Sequence, residues 1–377
     1  MKQILLAAAV ALTAFAASAQ EKKETPWQLV DARELRIINK GWDNTARDYT
    51  RIPAYLKDSV RPDLWERSQC ASGIAVRFAT DSRRVGAKYR LLWDTHLPHM
   101  ADTGLKGTDL YIFEGDSVWR HVNTNRPKAN NKETKINETT YVSNLDGGMH
   151  EYMIYLPLYD GIEEFYVKVD SGATITPGRA DLIDRDLKIV AYGTSILQGG
   201  CASRTGMAAT NMLSRELNCE VVNIGISGEG KMDACMARAM AQIADADLFL
   251  LDPVPNCTEM MCDTLTYDFV RILRDARPDV PVVMLEGPIY PYARYDSYFG
   301  NYLPRKNAAF RRNYERLKAE RPDNLYYVTS EGLDGVEDDG TVDGIHLTDL
   351  GFRHYADKLR PILEEILADK IRLPARK

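Results

Sequence analysis

Two textures of hydrophobic patterning divide the chain. Between about Trp27 and Asp170, apolar residues recur at every second position in short runs. Ile74, Val76 and Phe78 share a face in GIAVRFATDS, as do Val85, Ala87, Tyr89, Leu91 and Trp93 in RVGAKYRLLW, and Phe165, Val167 and Val169 in EEFYVKVD. A period of two is the pattern of a half-buried strand. DLYIFEGDSVWRHV reads as two strands about a Glu114-Gly115-Asp116 turn. Short strands parted by Gly, Asp and Asn, with no long helical period among them, predict an all-β sandwich of jelly-roll-like type.

The texture changes at TPGRADLIDRD, which reads as a linker. Beyond it, near-continuous apolar runs (LKIVAYG, EVVNIG, DLFLLD, VPVVMLEG, NLYYVTS) alternate with segments of helical spacing. The helical segments are GMAATNMLSRELN, KMDACMARAMAQIA, TLTYDFVRILRDAR, NAAFRRNYERLKAERP and TDLGFRHYADKLRPILEEILA. Strands that lack alternation are buried on both faces, so this half predicts an α/β fold with a parallel sheet between two helical layers. In such a sheet, ligands bind beyond the carboxyl ends of the strands. Chemistry is therefore expected in the loop that follows each strand.

Composition narrows the classes. The formal charge is −6 over 377 residues and there is no basic excess to hold a phosphate backbone, so nucleic acid is not an expected partner. Lys2, an apolar run from Ile4 to Ala17 and Ala17-Ser18-Ala19 read as a secretory leader cut before Gln20. No later stretch has 18 uninterrupted apolar residues, so no membrane span is expected. The expected location is outside the cytoplasm, periplasmic or extracellular. Six cysteines without a C-x-x-C pair give little support to a zinc or redox motif, and their pairing is not legible.

Four strand-end loops carry candidate chemistry. The first holds Gly193-Thr194-Ser195. A small residue before the serine suits a tight strand-to-helix turn, although a serine at such a turn more often caps the helix. The second, Asn223 to Gly230, presents Gly228 in a glycine-rich turn whose N–H groups can approach a ligand. The third, Asp252-Pro253-Val254-Pro255-Asn256, stiffens the Asn256 amide with two prolines, which suits an oxyanion donor. The last, DGTVDGIHLTDLGF, sets Asp343 three residues before His346, where a carboxylate fixes the tautomer of an imidazole. Each signal alone is weak. Together they supply a nucleophile, a base, an orienter and oxyanion donors at one edge of one sheet, the set that acyl transfer requires. Cys201 is a second candidate nucleophile, and His354, inside the closing helix, reads as structural.

These residues resemble the SGNH (GDSL-type) hydrolase superfamily, whose four named residues stand in four separate blocks. The matching positions are Ser195 in YGTSILQGG, Gly228 in NIGISGEG, Asn256 in DPVPN, and His346 with Asp343 in DGIHLTDLGF. The usual Gly-Asp-Ser is here Gly-Thr-Ser, and the usual Gly-x-Asn-Asp is Pro-Val-Pro-Asn. Upstream, Gly107-Thr108-Asp109-Leu110-Tyr111 is similar to the G-x-D-L-Y signature of a β domain that precedes some bacterial SGNH hydrolases. The resemblance implies a flavodoxin-like αβα hydrolase domain at 185–377 behind a β-sandwich domain at 20–180 and a leader at 1–19. It implies an oxyanion hole of the Ser195 and Gly228 N–H groups and the Asn256 side chain.

The implied activity is that of a serine esterase acting on acyl esters, acetyl foremost, of carbohydrates. No cofactor or metal is needed for that chemistry. The alternatives are a carbohydrate-binding protein whose hydrolase domain is inactive, and a lipase or thioesterase using the same triad. The aromatic stretch GPIYPYARYDSYFGNYLPRKN reads as a long loop, with Tyr290, Tyr292, Arg294 and Tyr295 as a candidate sugar-stacking rim, or else as a loop packed on a neighbour. Oligomeric state is not legible.

Overall fold

The computed structural model describes residues 25–115, 118–128, 133–179, 187–336 and 338–370. The predicted leader, Asp116 of the predicted turn and residues 180–186 of the predicted linker lie outside them. The N-terminal half forms two antiparallel sheets. One has the order β1 (Trp27–Asp31), β9 (Ile162–Asp170), β4 (Val85–Leu91), β7 (Ile136–Val142). The other runs β10 (Ile175–Thr176), β3 (Ala75–Thr80), β8 (His150–Tyr155), β5 (Asp109–Glu114), β6 (Val118–Thr124), with β2 (Arg36–Ile38) beside β3. The alternating residues do as their period requires: Val76, Phe78, Ala87, Tyr89, Phe165 and Val167 meet in one buried cluster. Two short helices, α1 (Pro62–Ser68) and α2 (Asp102–Leu105), interrupt the strands and were not expected. Pro62 at the first helical position was the available signal for α1.

The second half is a five-stranded parallel sheet ordered β12 (Glu220–Gly225), β11 (Lys188–Gly193), β13 (Leu248–Asp252), β14 (Val282–Leu285), β15 (Leu325–Val328). This is the flavodoxin-like order, with its switch point between β11 and β13. Both faces are covered, as near-continuous apolar strands demand. Val190 and Tyr192 pack toward α5 (Ala234–Met240), α7 (Thr266–Ala276) and α8 (Ser297–Glu320). Ile189 and Ala191 pack toward α4 (Ala209–Leu217) and α9 (Asp349–Ile366). Two short helices complete the set, α3 (Ser195–Gln198) and α6 (Glu259–Thr264).

One expectation fails here. The aromatic stretch is a loop only to Asp296. From Ser297 onward it is the first part of α8, with Pro304 inside it. Gly300 and Pro304 argued for a loop, yet Asp296 caps the helix by accepting from the Tyr298 and Phe299 N–H groups at 2.9 and 3.2 Å. Burial of Leu303, Lys306, Asn307 and Phe310 then outweighs the poor propensity.

The G-x-D-L-Y signature joins the two halves. Asp109 is fully buried, and its Oδ2 accepts from Arg204 Nη1 and from the Gly206 N–H, each at 2.8 Å. The Tyr111 hydroxyl accepts from the same guanidinium at 2.6 Å, and its ring lies 4.2 Å from the Arg215 guanidinium. Leu110 fills the sandwich core. A Cβ on Gly107 would sit 2.4 Å from the Thr103 carbonyl oxygen, so no side chain fits there. The motif thus clamps the sandwich to the segment just beyond Ser195.

Candidate active site

Strand β11 ends at Gly193, where a Cβ would stand 2.8 Å from the Asp252 carbonyl oxygen of the neighbouring strand. The chain turns at Thr194, which has extended backbone and caps α3: its hydroxyl accepts from the Ile196 N–H at 3.3 Å. Thr194 therefore takes the capping role that Ser195 was weighed for. Ser195 is the first residue of the helix, its N–H has no intrahelical acceptor, and its hydroxyl is released for other work.

That hydroxyl lies 2.9 Å from His346 Nε2. The other ring nitrogen, Nδ1, lies 2.8 Å from Asp343 Oδ2. A carboxylate only accepts, so Nδ1 carries the proton, and Nε2 presents a lone pair to the serine hydroxyl. Asp343 Oδ1 accepts from the backbone N–H groups of Ile345 and His346 at 3.0 and 2.8 Å, which fixes the carboxylate on its own loop. Burial works against the Asp343 charge, but the backbone N–H and ring of His346 outweigh it and hold the carboxyl below its usual range. The acid thus stays ionised opposite the imidazole.

The oxyanion candidates gather at the same turn. The Ile226 N–H donates to the Gly193 carbonyl at 3.0 Å, and a Cβ on Gly230 would lie 1.9 Å from that oxygen, so the second loop packs directly on the first. Between them Gly228 takes a left-handed φ of 72°, and a Cβ built there meets nothing within 4 Å. Asn256 Nδ2 donates to the Ile226 carbonyl at 3.2 Å. One of its two N–H groups holds the amide against the Gly228 loop, which leaves the second for a ligand.

Several residues that support this site carried no sequence signal. Gln198, fully buried, donates to the Leu158 carbonyl at 2.9 Å and accepts from the Ser227 N–H at 2.8 Å, which ties the Gly228 loop to the sandwich. Arg51, buried in the sandwich half, donates to the Gly225 carbonyl. The Tyr159 hydroxyl donates to the Ser195 carbonyl at 3.1 Å. The His99 ring stands 5.5 Å from the His346 ring, tilted by 40°. All but Gln198 lie in the β half, so the sandwich supplies part of the site wall. None stands in a pattern that local reading detects.

The candidate rim divides. Tyr290 is only 7% exposed and stacks on Tyr292 at 5.7 Å, so it is a buried support and not a rim residue. Tyr292 packs against the backbone of Gly344, where a Cβ would be 3.1 Å from its ring. Arg294 is engaged with Asp338 at 2.7 Å. Tyr295 is open to solvent. Cys201 is buried, and burial followed by the Asp343 charge pushes its thiol up to about 12. A thiol held protonated is a poor nucleophile, so the serine is the better candidate.

Both halves of the chain match known families. Residues 186–364 match the GDSL-like lipase/acylhydrolase family, and residues 26–175 match the N-terminal domain of SGNH-hydrolase-type esterases. A protein from Bacteroides ovatus described as a GDSL-like lipase is 32% identical, with 91% of this chain and 98% of that one covered and a TM-score of 0.85. The salicylyl-acyltransferase SsfX3 of a tetracycline biosynthetic pathway shares the fold at 16% identity, with 92% and 99% covered and a TM-score of 0.72. A family two carbohydrate esterase from Cellvibrio japonicus does so at 14%, with 91% and 99% covered and a TM-score of 0.57. No protein of curated function matches the chain in sequence. No helix among the described residues is long and apolar enough to cross a membrane.

Proposed function

The chain belongs to the GDSL-like lipase/acylhydrolase family and is an SGNH-type hydrolase, and from that premise we propose that it is a serine esterase removing acyl groups, acetyl foremost, from carbohydrates. The observation that carries this reading is the unbroken relay from Ser195 Oγ to His346 Nε2 at 2.9 Å and from Nδ1 to Asp343 at 2.8 Å. The Cellvibrio japonicus structure, described as a family two carbohydrate esterase, supports the choice of sugar esters, as 99% of it aligns with 91% of this chain.

In this mechanism His346 takes the serine proton as Oγ adds to the ester carbonyl. The oxyanion forms against the Ser195 and Gly228 N–H groups and Asn256 Nδ2. His346 then gives its proton to the departing sugar hydroxyl. Water, deprotonated by the same imidazole, releases the acid from the acyl-enzyme. Asp343 orients the ring and stabilises the imidazolium.

Acetate release from acetylated polysaccharides, alongside an aryl acetate, tests the proposal. Ser195→Ala is expected to stay folded and to fall to the background rate on both. Near-wild-type hydrolysis by that variant refutes the assignment. Cleavage of aryl esters without release from any polysaccharide leaves the chemistry and rejects the sugar substrate.

A further inference from the structure

Three side chains with metal-binding atoms converge over the catalytic histidine. The donor atoms of His99, Cys201 and His346 all lie within 4.8 Å of one another. His99 comes from the sandwich, Cys201 from the turn after α3, and His346 from the last strand-end loop. Among the described residues, neither the His99 ring nor the Cys201 thiol has a hydrogen-bond partner, so their lone pairs are uncommitted.

The arrangement is held from outside. The Trp93 and Thr95 N–H groups donate to the two carboxylate oxygens of Asp160 at 3.0 and 2.7 Å. Lys106 Nζ pairs with Asp94 at 2.6 Å, with both side chains fully buried. Leu97 and Met100, on either side of His99, pack into the same apolar cluster as Cys201. His99 is therefore fixed on the site and does not merely swing near it.

We propose that His99, Cys201 and His346 form a site for a borderline-soft divalent cation, Zn²⁺ foremost, and that its occupancy switches hydrolysis off. This rests on the reading of His346 as the general base. Two imidazoles and a thiolate match the preference of zinc, with a fourth position left open. Tetrahedral bond lengths to nitrogen and sulfur place ligand atoms roughly 3.4 Å apart, so the present spacing closes by side-chain rotation of about an ångström. The Cys201 thiol loses its proton to solvent as the Zn–S bond forms, and no electrons are transferred.

Inhibition follows from the geometry of His346. Both of its ring nitrogens are already used, Nε2 toward Ser195 and Nδ1 toward Asp343. Whichever nitrogen the cation takes, one bond of the relay is lost. Metal binding and the proton transfer exclude one another. Magnesium and calcium, which favour oxygen ligands, are expected to leave the rate unchanged.

The experiment titrates ZnCl₂ into the chelator-treated full chain and follows aryl acetate hydrolysis. Cobalt(II) absorption provides a second readout that needs no activity, since a thiolate ligand gives a charge-transfer band in the near ultraviolet. The rate is expected to fall about a hundredfold at a hundred times the zinc Kd and to recover with chelator. Cys201→Ala is expected to hydrolyse normally without zinc, to need at least about tenfold more zinc for half-inhibition and to lose the cobalt band; His99→Gln, measured against its own zinc-free rate, is expected to show the same roughly tenfold shift. His99 is half-buried in a turn, so its replacement does not put the fold at risk. Equal zinc sensitivity in wild type and both variants overturns the proposal, as does a rate that needs the metal. A chain that hydrolyses no ester with or without metal refutes the esterase reading alone, because the cobalt band and its loss in Cys201→Ala still decide the metal site.

Discussion

Replacing Asp343 by Asn changes one atom and tests the relay directly. Asp343 serves three donors: Oδ1 takes the Ile345 and His346 N–H groups, and Oδ2 takes His346 Nδ1. A carboxamide has one oxygen for these three. If the oxygen stays on the two backbone N–H groups, the NH₂ faces Nδ1 and makes it an acceptor. The imidazole proton then sits on Nε2, which no longer takes the proton of Ser195. If the amide turns over, two hydrogen bonds of about 1 kcal/mol each are lost, and two N–H groups face a donor at about 1–3 kcal/mol each when buried. At their half-exposed position the total is about 3–6 kcal/mol, or roughly 10²–10⁴ in rate. Lost stabilisation of the imidazolium adds to this, so kcat is expected to fall by about 10⁴, the size known for this exchange in a serine protease triad. Steady-state kinetics on an aryl acetate, with thermal unfolding as control, checks the prediction. A folded Asp343→Asn variant with kcat within tenfold of wild type refutes the reasoning.

Asn256→Ala is expected to lower kcat about 10²–10³-fold with little change in KM, and a loss under threefold would show that its amide does not reach the oxyanion. Asp252 gives a pH signature in stability. Burial pushes its carboxyl up to about 8, against the Tyr355 hydroxyl that donates to it at 3.0 Å. The folded state then holds one more proton than the unfolded chain between about pH 4 and 8, and stability falls as pH rises through that window, by at most about 5 kcal/mol in all. Asp252→Asn is expected to flatten that slope and to melt higher than wild type at pH 9. Parallel melting curves from pH 5 to 9 would contradict it. Lys106→Met leaves Asp94 buried and unpaired, and is expected to cost about 3–5 kcal/mol in denaturant unfolding and to speed amide exchange from residue 93 to 102. An unchanged midpoint would show that the pair is dispensable.

What the sequence alone determined is whatever a short window encodes. Period-two alternation marked β3, β4 and β9, because alternate side chains on a strand must share one environment. Unbroken apolar runs marked the parallel strands, because both of their faces are covered. The strand-end rule then drew attention to Ser195, Gly228, Asn256 and Asp343/His346, each readable in its own loop. Tertiary structure decided what depends on distant chain. Thr194 and not Ser195 became the cap, since only the approach of His346 gives the serine hydroxyl another partner. Tyr290 became a buried support because Tyr292 covers it, and α8 began ten residues early because Asp296 caps it and Phe299, Tyr302 and Leu303 pack on Tyr290, Tyr292 and Ala293. The sandwich residues Arg51, His99 and Tyr159 reached the site because the two halves pack together, with Asp109 and Tyr111 among the contacts that lock them. Their roles are set by the packing of one domain on another, and no local periodicity or spacing carries that information.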